Sequence, residues 1–270
     1  MAKQPADRFK SGPLKNKKSH RQSQKGKAQF FWGIHSVLEA LRAFPASVQE
    51  IILEKESGLR IQKVVDMAEE KKVAVRHDRS FFQKDGAIGD ERHQGVAARI
   101  LFPYIDFARL LAGLKQESDN PFILLLDSVQ DPRNLGAIIR SAVAAGCRKL
   151  ILPKDRSALI TGSVAKTSAG AVFHIDICQV TNLATTIDAL KEAGIWVYAT
   201  AADGPLSIYQ TDFRVPVCLV IGNEEKGVRP LVKKHCDGLV SIPMTGSLDS
   251  LNASVAAGVV LFEIARQRTR

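Results

Sequence analysis

The chain is predicted to be a two-part α/β protein, a small α/β module followed by a larger domain built on a parallel sheet. Three observations carry this. Strand–helix units repeat from Pro121 onward. The runs 122–126 and 217–221 are apolar without interruption, as parallel strands covered on both faces require. Polar clusters follow these runs where strand gives way to helix, the place where open α/β sheets bind ligands.

The elements follow in order. Folded sequence begins at Phe30-Phe-Trp-Gly33, after which Ile34, Val37, Leu38 and Leu41 mark one helical face. Residues 48–53 read as a strand and 59–71 as an amphipathic helix with Ile61, Val64, Val65 and Ala68 on its apolar side. Short strands are expected at 73–75 and 96–101, the latter preceded by a loop over 84–94. Residues 107–114 read as a linker helix, framed by Pro103 and the polar stretch 116–120. Beyond it, strands are expected at 122–126, 149–152, 174–180, 195–200, 217–221 and 239–242. The intervening helices fall at 133–145, 160–169, 182–193, 229–236 and 252–268. The chain thus divides into a basic arm (1–28), an α/β module (29–103), a linker (104–120) and the parallel-sheet domain (121–270).

Charge is placed unevenly. Residues 1–28 hold nine Lys and Arg against Asp7 alone, a net of +8, which leaves +2 of the total +10 for the rest. With only Phe9 and Leu14 as large apolar residues, this arm cannot bury enough surface to fold, and it would raise affinity for polyanions without reading sequence. No apolar run approaches the ~20 residues of a membrane span, and no apolar segment at the N-terminus suggests a secretory signal. Cys147, Cys178, Cys218 and Cys236 are widely spaced and read as reduced thiols of a cytoplasmic protein, and no metal is assigned.

Three motifs carry the chemistry. Asn134-Leu-Gly-Ala-Ile-Ile-Arg140 opens a helix, with Asp131 and Pro132 just before it and Arg140 a little under two turns on. Each of Asp131 and Asn134 alone would be read as a helix cap. Gly222-Asn-Glu-Glu-Lys-Gly227 reads as a tight turn, in which Gly222 lets a ligand approach the backbone and Gly227 permits positive φ. Glu224 is its carboxylate. Ile242-Pro-Met244 leads to Ser250-Leu-Asn-Ala-Ser254, which opens a last helix rich in small residues. Neither a GxGxxG fingerprint nor a GxxxxGK[ST] loop is present, which argues against nicotinamide and flavin enzymes and nucleotide triphosphatases.

In this order the three motifs resemble those of the SpoU-type (TrmH) RNA ribose 2′-O-methyltransferases of the SPOUT superfamily, and the resemblance extends over residues 30–270. Asp127–Asn134, Pro153-Lys-Asp-Arg156, Asn182-Leu and the ending 262–268 are similar to its bacterial 23S rRNA guanosine branch. The resemblance implies a SPOUT domain with a deep trefoil knot behind a ribosomal-protein-like RNA-binding module. It implies a homodimer in the cytoplasm, with sites drawn from both subunits, acting on RNA and not on DNA or membranes. It assigns Asn134, Arg140, Glu224, Ser250 and Asn252 to catalysis. Thr200, Gly222, Ile242, Met244 and Leu251 would lie around S-adenosylmethionine, held largely through backbone. Arg140 is given hydroxyl activation in the family account, but a guanidinium with a free pKa above ~12 suits phosphate orientation and charge stabilisation better. The competing readings are the same reaction on tRNA, and an RNA-binding or ribosome-assembly factor without catalysis.

Overall fold

The computed structural model describes residues 28–55, 58–83, 88, 92–114, 120–247 and 249–269. The basic arm up to Lys27, most of the 84–94 loop and residues 115–119 of the linker lie outside the described residues.

The N-terminal part comprises β1 (Gln29–Trp32), α1 (Ile34–Ala43), β2 (Val48–Leu53), α2 (Leu59–Glu70), β3 (Ala74–His77) and β4 (Val96–Ile100). Its strands form one sheet in the order β1-β4-β2-β3, in which β2 and β3 run parallel and β4 is antiparallel to both its neighbours. The aromatic run at 29–32 is a strand of four residues, too short to show a period of its own; its partner β4 fixes it. Helix α3 (Phe107–Leu114) follows, tied to the second sheet by the Ile105 N–H, which donates to the Ile177 carbonyl at 2.9 Å.

The second part runs β5 (Phe122–Leu126), α4 (Pro132–Ala144), β6 (Lys149–Pro153), α5 (Gly162–Thr167), β7 (Asp176–Val180), α6 (Leu183–Glu192), β8 (Trp196–Thr200), β9 (Leu206–Ser207), β10 (Val217–Ile221), α7 (Pro230–His235), β11 (Gly238–Ser241) and α8 (Ala253–Arg268). Seven strands form a parallel sheet ordered β7-β6-β5-β10-β8-β11-β9. Strands β5, β6 and β10 are buried along their whole length; the sequences of β5 and β10 are unbroken apolar runs, while β6 opens on the buried Lys149. The expected strand at 174–180 starts two residues late, because Ala171–His174 forms a 3-10 turn that carries Phe173 into the core.

That core is shared between the two sheets. Phe31 of β1 is fully buried, with its ring 5.6 Å from Phe173 and 6.2 Å from Phe102. Beside it the Trp32 ring packs against the start of α5. Glu39 of α1 accepts from His174 at 2.6 Å and also pairs with Arg42. Burial pushes the Glu39 carboxyl up, but hydrogen bonds from His174 and Arg42 outweigh it and leave it below its ordinary value.

Gly162 is required at this joint, since a Cβ there would stand 2.2 Å from the Trp32 ring carbons Cε3 and Cζ3. Gly162→Ala should therefore destabilise the protein by about 1–3 kcal/mol through overpacking, read as a lowered denaturant midpoint. Adding Trp32→Ala to that variant should remove the clash, so the pair should be strongly non-additive. Additive effects would show that the two residues do not meet.

Candidate active site

The carboxyl ends of β8, β10 and β11 open into a cavity of about 310 Å³, within the range of small-ligand pockets. Thr200, Gly222, Ile242, Met244 and Leu251 all line it, as do Glu224 and Ser250. Its walls combine apolar side chains (Ile221, Val240, Ile242, Leu251) with the backbone of the 222–227 turn, and the carboxylates of Asp203, Glu224 and Asp249 stand at its edge.

The turn is built by Asn223. Its backbone pairs with Gly227 in both directions (Asn223 N–H to Gly227 carbonyl 3.1 Å, the reverse 2.9 Å), and its side-chain oxygen accepts from the Glu225 and Lys226 amides at 3.0 and 3.2 Å. Gly227 takes φ +62, the left-handed conformation the motif anticipates. Gly222, which lines the cavity, is also constrained by the turn itself. A Cβ there would lie 2.1 Å from the Gly227 carbonyl carbon and 2.2 Å from the Val228 nitrogen, so its bareness lets the turn close on itself.

Asp131 takes the helix-cap role for α4, accepting from the Arg133 amide at 2.8 Å with Pro132 at the first position. This leaves the Asn134 side chain available. Its amide donates to Glu224 Oε1 at 2.5 Å, and its carbonyl oxygen accepts from Asn252 Nδ2 at 3.2 Å. Asn223 Nδ2 donates to Glu224 Oε2 at 3.1 Å and to the Ser128 carbonyl at 3.2 Å. One hydrogen-bonded chain, Asn252–Asn134–Glu224–Asn223, therefore joins all three motifs beside the cavity. Asn252 also caps α8, accepting from the Ser254 amide at 2.9 Å. Every amide in the chain has its orientation set by a neighbour, which fixes the groups before a ligand arrives.

Arg140 is not brought to this chain. It lies two turns along α4, exposed, outside the cavity lining and without a hydrogen-bond or ion-pair partner among the described residues. Six residues turn a helix through about 240°, so it leaves the face that carries Asn134.

Two groups to which sequence reading assigned no role in the site hold it together. Asp127, fully buried at the end of β5, accepts from the Arg229 backbone amide at 2.9 Å and from Arg229 Nε at 2.7 Å. This pair clamps the approach to α4 onto the end of the glutamate turn. Asn223 was legible only as a turn residue. The signal for Asp127 was a carboxylate directly after five apolar residues, a position where burial demands a partner.

Comparisons with known proteins bear on this geometry. The model of the SpoU rRNA Methylase family matches residues 121–262, and a model described as RNA 2′-O ribose methyltransferase substrate binding matches residues 30–104. The chain is 42% identical over 242 residues to the 23S rRNA (guanosine-2′-O-)-methyltransferase RlmB of Xanthomonas campestris pv. campestris, covering 89% of this chain and 97% of that protein. It is 40% identical over 250 residues to the protein of the same name from Escherichia coli K12, covering 90% and 100%. The SpoU methyltransferase AviRb from Streptomyces viridochromogenes, solved in complex with AdoMet, superposes with a TM-score of 0.75 at 25% identity over 90% of this chain and 91% of that one. An rRNA methyltransferase from Sinorhizobium meliloti gives 0.76 at 25% identity, over 90% and 89%.

Proposed function

Because the chain belongs to the SpoU family of RNA methylases, we propose that the cavity and the polar chain beside it form a single methyl-transfer site. The activity is S-adenosylmethionine-dependent methylation of the ribose 2′-hydroxyl of a guanosine in 23S rRNA. The observation that carries the site assignment is the hydrogen-bonded chain of Asn252, Asn134, Glu224 and Asn223 at the mouth of an apolar cavity. A binding protein without catalysis has no need of a carboxylate held by two amides from different elements.

The cavity's residues fit the cofactor. Ile242 and Leu251 offer apolar surface to an adenine, the 222–227 backbone offers amides and carbonyls, and Glu224, Asp203 and Asp249 favour a cation nearby. When bound, S-adenosylmethionine supplies an electrophilic methyl on a positively charged sulfur. The protein's task is to align a 2′-hydroxyl with that methyl and stabilise the charge as the proton leaves. Glu224, steadied by Asn134 and Asn223, and Ser250 at the cavity edge position the ribose. Arg140 contacts phosphate and stabilises developing negative charge.

Arg140's outward position supports a homodimer with composite sites. Val255 and Phe262 of α8 are each more than half exposed, Val259 lies between them at helical spacing, and α8 packs on the helix that carries Arg140. Such an apolar stripe on an exposed helix face suits a second copy of the chain. In that arrangement Arg140 of one subunit completes the partner's cavity. The family relationship also supports the deep trefoil knot, the division into a 29–103 RNA-binding module and a 121–270 catalytic domain, and a cytoplasmic location. Among the described residues no helix is long and apolar enough to cross a membrane.

The test is transfer of tritiated methyl from S-adenosylmethionine to RNA, with ribose methylation mapped in cells with and without the gene. Label is expected in 23S rRNA at one guanosine. Label in tRNA or protein instead would overturn the reading.

A further inference from the structure

The segment 154–161, between β6 and α5, links the two parts of the molecule that RNA would have to touch. Near its start the Lys154 amide donates to the Val180 carbonyl at 2.8 Å, and the Ala158 amide donates to the Val129 carbonyl at 2.9 Å. Val129 lies on the approach to Asn134, between the Asp127 clamp and the α4 cap. At its far end the segment reaches Gly162, on which Trp32 of the N-terminal sheet packs. Buried Ala158 and Ile160 pin its course. The segment therefore runs, at fixed geometry, from the edge strand β7, past Val129 on the approach to Asn134, to the joint with the N-terminal module.

Its outward side chains are basic. Lys154 and Arg156 are exposed, with no hydrogen-bond or ion-pair partner among the described residues, and Arg133 on the first turn of α4, after Val129, is exposed as well. Arg156 is held at φ +58, a left-handed conformation that costs an L-residue roughly 1–2 kcal/mol and that glycine or asparagine would adopt more readily. No hydrogen bond or ion pair among the described residues accounts for arginine there. Of the carboxylates around the segment, Asp155 is exposed between the two cations, Asp131 is engaged as a helix cap, and Asp106, which lies with Lys154 near Cys178, accepts from the Arg109 amide.

We propose, resting on the rRNA methylation reading above, that Lys154 and Arg156 are positioning residues that contact phosphates of the RNA strand passing from the N-terminal module to the catalytic cavity. Their contribution is electrostatic and made equally in the ground and transition states, so it tightens RNA binding without accelerating the chemical step.

The experiment uses the full chain and a 23S rRNA transcript, comparing wild type with Lys154→Gln, Arg156→Gly and the double variant. Glycine accepts the left-handed backbone without steric cost, so Arg156→Gly is not expected to lower folded stability and any RNA defect reports the lost charge. Each single change should raise KM for RNA and reduce the slope of log affinity against log salt by about 0.7–0.9, with the double variant losing about twice that. The kcat and the cofactor affinity should stay near wild type. Arg156→Lys should restore the slope, because a point charge suffices for phosphate. A double variant with wild-type KM and salt slope, or one that loses kcat with KM unchanged, would overturn the proposal and leave the methylation reading standing. A wild-type protein that moves no methyl to rRNA would overturn both.

Discussion

Arg140→Ala is expected to lower single-turnover methyl transfer by about 10²–10³-fold, the size of loss seen when one transition-state electrostatic partner is removed. Binding of S-adenosylmethionine should stay within a few-fold of wild type. The structure separates these effects. Arg140 is exposed, makes no hydrogen bond or ion pair among the described residues and does not line the cavity, so its truncation removes no polar interaction of the fold. Alanine also suits the middle of α4 at least as well as arginine. Arg140→Lys should fail badly too, because the planar bidentate fork is lost. A lysine variant with near-normal turnover would show that a point charge is enough. Retained activity in Arg140→Ala would remove Arg140 from the mechanism.

Gly222→Ala should abolish cofactor binding, and for a reason located in the backbone. The added methyl would stand 2.1–2.4 Å from the Gly227 carbonyl group and the Val228 nitrogen, and no rotamer change relieves a clash with main chain. The 222–227 turn must open, which withdraws Glu224 from Asn134 and deforms one wall of the cavity. A stability loss of about 1–3 kcal/mol should accompany it. Calorimetry showing wild-type affinity for S-adenosylmethionine in this variant would mean that the turn is not part of the cofactor site. The two variants also test the composite dimer together. In a mixed dimer, one site pairs an intact Gly222 turn with the partner's intact Arg140. Co-refolding equal amounts of the two inactive proteins should then recover about a quarter of wild-type turnover, from random subunit pairing. No recovery would place Arg140 and the cavity of the same subunit in one site.

Much of this was legible in the residues, and what was not has physical causes. Strands β5 and β10 announced themselves because burial on both faces leaves an unbroken apolar run, whereas β9, two residues long, left no signal and was not expected. Asn134, Glu224 and Asn252 were flagged by motif order, and they meet in one hydrogen-bonded chain across 90 and 118 positions of sequence. The five residues assigned to the cofactor line one cavity. The bonds of Asn223 and the Asp127–Arg229 clamp were not legible because a polar side chain's distant partner leaves no periodic trace. Strand β1 escaped because four residues are too few to show alternation. The second constraint on Gly222 was not legible, since sequence alone does not show that its turn closes against its own α-carbon.

The strand order has a consequence for how this chain comes into being on a ribosome. Strand β5 is complete at Leu126, yet its hydrogen-bonding partner on one side, β10, does not begin until Val217. At synthesis rates of about 5–20 residues per second, that leaves roughly 5–20 s in which β6 can cover one edge of β5 and nothing covers the other. The waiting edge belongs to Phe-Ile-Leu-Leu-Leu, five apolar residues of the kind that recruits foreign strands. The middle of the finished sheet is thus the most aggregation-prone surface of the nascent protein. Yield in a heterologous host should depend more on chaperone capacity during those seconds than on the stability of the folded enzyme.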